Sequence, residues 1–169
     1  MLTPETPEPD RQRFRAVMGH FATGVAVVTA RPSGEADGAV GMTTNALCSL
    51  SLDPIKLLVC FDREARTLPV VRETRRFAVN VLRVGHEDLS GQFASKLPLD
   101  RKFEAVEYTT EHGAPVLDDA LAWVVCDLRE LLPGGDHVIG IGEVIGMGAG
   151  EPADPLVYYR GAYTTTADP

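Results

Sequence analysis

The stretch GMTTNALCSLSLDPIKLLVCFD, residues 41–62, decides the fold. It opens on small and hydroxyl-bearing residues, Gly41-Met42-Thr43-Thr44-Asn45-Ala46. It continues as Cys48-Ser49-Leu50-Ser51-Leu52, turns at Asp53-Pro54 and returns as the apolar run Leu57-Leu58-Val59-Cys60-Phe61. This pattern predicts a hairpin-like pair of strands. Its first half is unusual, because Thr, Asn and Ser stand where bulky core residues belong. They bring donors and acceptors with little bulk. A sheet built this way lets a flat polar ligand lie against its backbone. Threonine also favours strands for ordinary reasons, so the stretch alone leaves a plain Thr/Ser-rich strand open.

Outward from this stretch the chain punctuates often. Upstream, residues 10–22 place Phe14, Val17, Met18 and Phe21 at helical spacing, with Asp10 as the N-cap. A strand over residues 25–30 and a turn over 31–38 follow. Downstream, residues 68–74 read as a short helix with Pro69 in its first turn. Residues 76–82 alternate as a strand, in which Asn80 is expected to bond a neighbouring backbone group. Residues 86–94 read as a helix with Leu89 and Phe93 facing inward. Residues 96–118 carry little pattern and are long for a loop, which is often a functional sign. A long strand over 120–132, with a helix as the competing reading, a turn over 133–136, a glycine-rich strand over 137–147 and a closing segment over 156–163 complete the chain. The repeated glycines of the 137–147 strand predict close approach of a backbone or a ligand.

Six or more strands at hairpin intervals, without βαβ alternation, predict a mainly β fold with a few helices, an antiparallel and partly closed barrel. No GxGxxG follows a first strand, so dinucleotide binding by the Rossmann route is not expected. The 169 residues suit one domain, and 44% hydrophobic with 24% charged residues suffices for a core. A net charge of −8 argues against nucleic acid as a partner, though local cations still suit a small anionic ligand. Cys48, Cys60 and Cys126 sit in apolar strand patterns without CxxC spacing. They are expected as buried hydrophobes in a reducing, cytoplasmic setting, with no metal. No apolar run reaches membrane-span length. Residues 1–9, acidic and proline-rich, read as a disordered lead-in, residues 10–163 as the domain and residues 164–169 as a tail.

Taken in order, several short motifs add a more specific reading. They are Phe14-Arg15, Phe21-Ala22-Thr23-Gly24-Val25 with Val27-Val28-Thr29, and Gly41-Met42-Thr43-Thr44-Asn45. Ser49-Leu50-Ser51-Leu52-Asp53-Pro54, Phe77-Ala78-Val79-Asn80-Val81-Leu82 and Phe93-Ala94 come next. Gly135-Asp136-His137 and Tyr158-Tyr159-Arg160-Gly161 with Tyr163 close the set. In this order the chain resembles the short-chain flavin reductases, reductase components of two-component flavin-dependent monooxygenases. The resemblance implies a six-stranded antiparallel Greek-key split β-barrel of the FMN-binding type, usually a homodimer with flavin near the subunit interface. The ring of FMN or FAD would lie along Val40, Gly41, Met42 and Thr43, with Asn45 and Ala46 nearby. Cys60, Phe61 and Asp62 would flank it, and Ser51 belongs to the same set. Arg66, Thr67, Gln92, Phe93, Ala94, Ser95 and Lys96 match positions that hold the ribityl chain and phosphate. For Arg66 and Lys96 a solvated surface charge is the competing reading.

By the same resemblance His137 is the catalytic-site residue that contacts and orients the nicotinamide of NADH or NADPH. It would bond the carboxamide or a phosphate. Tyr159, Arg160 and Tyr163 would help bind the dinucleotide. Hydride transfer needs nicotinamide C4 over flavin N5 at roughly 3–3.5 Å and no side-chain acid. The implied partner is a monooxygenase reached by diffusion of reduced flavin. One departure stands out: Ile55-Lys56 follows Asp53-Pro54 where a second proline is usual. A flavin- or haem-binding split barrel without reductase activity is the rival reading, since a fold does not fix a function. Gly135-Asp136-His137 separates the two, because a protein that only binds has no use for a nicotinamide site.

Overall fold

The computed structural model describes residues 10–34 and 38–166. The expected lead-in, the tip of the 31–38 turn and the end of the 164–169 tail lie outside these residues.

Helix α1 (Arg11–Met18) begins where Asp10 caps it, the carboxylate accepting from the Arg13 backbone N–H at 2.8 Å. It ends at Met18, four residues short of the expected end, because Gly19 closes it. Its apolar stripe faces outward, with Phe14 64% and Val17 62% exposed, and Phe21, just beyond the helix, is 68% exposed.

The main sheet is antiparallel and has seven strands. They are β2 (Ala26–Ala30), β3 (Val40–Thr44), β4 (Leu47–Leu52), β5 (Ile55–Asp62), β6 (Arg76–Val81), β9 (Ala122–Gly134) and β10 (His137–Ala149). Their order is β3-β2-β6-β9-β10-β5-β4. Six or more strands were expected. Two of the seven come from the first half of residues 41–62, which divides in two, and its pieces sit at opposite edges of the sheet. Only β4 and β5 form the hairpin, across a cis Asp53-Pro54 bond, and Ile55 opens β5.

Small polar groups make the crossing between β3 and β4. The Thr44 hydroxyl accepts from Ala46 N–H at 3.1 Å, Asn45 donates to the Thr23 hydroxyl at 3.0 Å, and Ala46 C=O accepts from Cys60 N–H at 2.8 Å. The barrel is thus laced together at one end and left open along β3.

Helices α2 (Thr67–Thr74) and α3 (Glu87–Ala94) pack beside that opening. Two small sheets complete the fold. One is β1 (Thr23–Gly24) with β11 (Val157–Tyr159) and β12 (Ala162–Thr164). The other is β7 (Tyr108–Glu111) with β8 (Ala114–Leu117). The expected featureless loop, residues 96–118, therefore holds this pair and a 3-10 helix, Leu99–Phe103.

The core lies between the sheet faces, where Phe61 and Phe77 meet edge to face at 5.9 Å. A Cβ at Gly140 would stand 2.7 Å from the Phe61 ring, and one at Gly142 would stand 2.7 Å from the Phe77 ring. These glycines make room for aromatic rings, rather than for a backbone or a ligand. Asn80 is fully buried and ties three segments together. It donates to Val27 C=O at 3.0 Å and to the Thr29 hydroxyl at 3.1 Å, and accepts from Leu117 N–H at 2.9 Å. Of the cysteines only Cys126 is buried, its thiol pushed up to about 12 by burial. Cys60 is half-buried, and Cys48 is exposed because β4 is an edge strand. No described helix is long and apolar enough to cross a membrane.

Candidate functional site

A cleft of about 500 Å³ opens beside edge strand β3. One wall is Gly41, Met42 and Thr43. Opposite stand Asp62 at the end of β5, then Glu64, Ala65, Arg66 and Thr67 leading into α2. Phe93, Ala94, Ser95 and Lys96, at the end of α3, and Lys102 complete it.

Strand β3 has a hydrogen-bonded neighbour on one side only. The Gly41 carbonyl faces Lys102 Nζ at 3.5 Å, away from β2. The two-residue period of a strand turns the Thr43 backbone the same way. Main-chain groups of β3 that do not pair with another strand therefore border the cleft, the Gly41 carbonyl accepting from Lys102. The Phe93 ring packs against the strand at Gly41, where a Cβ would lie 2.6 Å from the ring.

Cations line this cleft on three segments: Arg66, Lys96 and Lys102. Arg66 donates to Leu97 C=O. Lys102 is buried and donates to Phe93 C=O at 2.6 Å. Burial lowers its pKa, and Arg66 lowers it further. Gln92 donates to Lys102 C=O at 2.9 Å and to Glu104 C=O at 3.2 Å, so it anchors the lysine's segment.

A smaller cleft of about 220 Å³ shares Thr43 and Ala94 with the first. Val25, Thr44, Asn45, Ser90, Tyr158 and Tyr163 complete its lining. A hydrogen-bonded chain runs along it. The Thr43 hydroxyl donates to Ser90 C=O at 2.7 Å, and the Ser90 hydroxyl meets the Tyr163 hydroxyl at 2.8 Å.

His137 opens β10 directly after a two-residue turn, Gly135-Asp136. Gly135 has φ +76° and no other turn residue has positive φ, the pattern in which a glycine comes first. The ladder sets His137 across from Asp62, a lining residue of the large cleft. Its Nδ1 lies 2.8 Å from the Asp136 carboxylate. That contact holds the Asp136 carboxyl below the usual carboxylate range.

The sequence-expected residues divide as follows. Gly41, Met42, Thr43, Asp62, Arg66, Thr67, Phe93, Ala94, Ser95 and Lys96 meet in the large cleft, and Asn45 and Tyr163 in the smaller one. Val40 and Phe61 point into the core. Ala46 and Cys60 share the hydrogen bond that laces the barrel end. Ser51 accepts from Asp53 N–H at 3.2 Å in the β4–β5 turn, apart from both clefts. Tyr159 lies under Arg160, whose backbone N–H donates to Gly19 C=O at 2.8 Å, so this pair sits toward α1. Sequence reading missed Glu64, Ala65 and Lys102 in the large cleft. It also missed Val25, Thr44, Ser90 and Tyr158 in the smaller one. Of these, Val25, Thr44 and Tyr158 lie within the quoted motifs and carried a local signal.

The residues fit a flat ligand with a polar edge and an anionic tail. The donor set combines main-chain groups of β3 with the cations Arg66, Lys96 and Lys102 in one cleft.

Comparison with known proteins agrees in outline. Residues 18–167 match the model of the flavin reductase like domain. The FMN reductase (NADH) RutF 2 of Rhizobium rhizogenes is 36% identical over 166 residues, covering 96% of this chain and 94% of that protein. Reductase subunit HsaB of a flavin-dependent monooxygenase, from Mycobacterium tuberculosis, is 35% identical over 159 residues, covering 92% and 82%. Among solved structures, the NADH:FAD oxidoreductase SgcE6 of Streptomyces globisporus C-1027, in complex with NAD and FAD fragments, superposes with a TM-score of 0.85. It is 34% identical, covering 94% of this chain and 93% of that one.

Proposed function

This chain belongs to the flavin reductase like domain family, and on that premise we propose that it is an NAD(P)H-dependent flavin reductase. It would reduce FMN or FAD and supply the reduced flavin to a partner monooxygenase. The observation that supports this reading is the meeting of an open strand edge and a group of cations in one cleft, with His137 paired in the ladder to its lining residue Asp62. The named activities of RutF 2 and HsaB support it.

Bound flavin would supply a ring that accepts hydride at N5. The chain's own part is binding and orientation. Main-chain groups of Gly41 and Thr43 would hold the polar edge of the ring at fixed geometry. Arg66, Lys96, Thr67 and Ser95 would hold the ribityl chain and phosphate. His137, steadied by Asp136, would orient the nicotinamide at the rim. Tyr163, bonded to Ser90, would support the dinucleotide, with Tyr159 and Arg160 farther out.

We read the chain as a homodimer, because the stripe of α1 and Tyr158 border a groove of about 490 Å³ that exposes Phe14, Met18 and Phe21. The three unpaired thiols fit a cytoplasmic protein.

The test is an assay crossing NADH and NADPH with FMN and FAD, followed by loss of nicotinamide absorbance. Turnover with one of these pairs is expected. No turnover with any pair, while flavin still binds, would point to a binding protein instead.

A further inference from the structure

Arg63 fastens the end of β5 to the turn that carries His137. Its backbone N–H donates to Asp136 C=O at 3.1 Å, and its side-chain Nε donates to His137 C=O at 3.4 Å. The first bond lies one step beyond the Asp62–His137 pair of the β10–β5 ladder. Hydrogen-bonded and non-hydrogen-bonded pairs alternate along an antiparallel ladder, so Asp62 and His137 form a pair of the second kind. Opposed side chains share one face of the sheet and stand closest in such a pair. Where the His137 main chain sits against Asp62 therefore sets where its side chain stands relative to the cleft that Asp62 lines.

Around Arg63 the chain turns tightly. Glu64 N–H donates to the Asp62 carboxylate at 2.8 Å, and Ala65 N–H donates to Asp62 C=O at 3.0 Å. Asp62, Glu64 and Ala65 line the large cleft, and the exposed Arg63 does not. Its side chain reaches back over the ladder to the histidine's own carbonyl. The Asp136 carboxylate that meets His137 Nδ1 is 91% exposed. That contact sets the ring against its own turn, and Arg63 holds the turn from the β5 side.

We propose that Arg63 is a positioning residue for the nicotinamide: through Nε on the His137 carbonyl it holds the histidine turn against the lip of the large cleft. This rests on the flavin reductase reading, in which His137 orients the nicotinamide. The rival role for an arginine here is a charge that binds a dinucleotide phosphate directly. Side-chain lengths separate the two. Glutamine carries its amide nitrogen as many bonds from Cα as arginine carries Nε, without the charge. Lysine keeps the charge and has a methylene at that place, and methionine has a methyl there. Steady-state kinetics at saturating flavin are compared for wild type, Arg63→Gln, Arg63→Lys and Arg63→Met, each also combined with His137→Ala.

Arg63→Lys and Arg63→Met should raise the nicotinamide KM about two- to fivefold, the scale of one exposed hydrogen bond, with the flavin KM unchanged. Arg63→Gln should stay near wild type. Combined with His137→Ala, the same substitutions should change nothing further, because the arginine acts through the histidine. A KM that is kept in Arg63→Lys and raised in Arg63→Gln would make the guanidinium a phosphate contact and overturn the assignment. So would a wild-type KM in Arg63→Met, or equal losses with and without His137. Equal rises in both KM values would also overturn it, by making the arginine a structural tie. Wild type without turnover on any flavin, or His137→Ala with an unchanged nicotinamide KM, would overturn the reading beneath the assignment, and the assignment with it.

Discussion

His137 stands directly across from Asp62, a lining residue of the large cleft, in the β10–β5 ladder, although the two are 75 positions apart in the chain. Replacing His137 with Ala removes the group proposed to orient the nicotinamide and leaves the β3 wall intact. The KM for nicotinamide should rise about three- to tenfold, the scale of one hydrogen bond. The KM for flavin should change less. Steady-state kinetics with each substrate varied in turn checks this, and equal rises would contradict the assigned role.

Gly41 is the position where the strand touches the Phe93 ring. In Gly41→Ala the new Cβ would begin 2.6 Å from that ring. Phe93 is buried and stacked edge to face on Phe103 at 5.0 Å, so it has little room to yield. Overpacking of this kind costs about 1–3 kcal/mol. A drop in melting temperature of several degrees and weaker flavin binding are the expected results, read by thermal melts and fluorescence titration. An unchanged melting temperature would show that the ring can move aside.

The outward face of α1 gives a prediction about assembly. Phe14 and Phe21 are 64% and 68% exposed in the single chain, and they border one groove with Tyr158. Phe14→Glu with Phe21→Glu should convert a dimer to a monomer in sedimentation velocity, because each change places a charge in an apolar contact. A wild-type chain that sediments as a monomer at micromolar concentration would refute the dimer.

The cluster of Arg83, His86 and Asp119 gives a pH dependence. Hydrogen bonds from Arg83 and then His86 hold the Asp119 carboxyl below its ordinary value of 3.8. The native state therefore binds that proton less readily than the unfolded chain does. The pairing stabilises fully above the unfolded value and is lost as pH falls through the native one. Asp119 is 68% exposed, so solvent screening keeps the effect below about 1 kcal/mol. Asp119→Asn should melt slightly below wild type at neutral pH, with the gap closing as the pH falls below 3.8. A gap that stays constant with pH would assign the loss to packing instead.

Local chemistry made much of the fold legible before any coordinates. The Asp10 cap, the strand around Asn80, the turn at Asp53-Pro54 and the Gly135-Asp136 turn all follow from neighbours in the chain, although that strand is buried on both faces where alternation was expected. Most of the large cleft was legible too, through motifs on β3, before α2 and at the end of α3. Alternation reports which face a residue takes, and it carries no record of which strand lies alongside. Only folding could therefore place β3 and β4 at opposite edges and leave one edge of β3 open. The same limit hid Lys102, since a short 3-10 helix has no period to read, and its burial comes from contacts with Gly41, 61 residues away. It also hid the outward turn of the α1 stripe, because helical spacing marks an apolar face without naming what covers it.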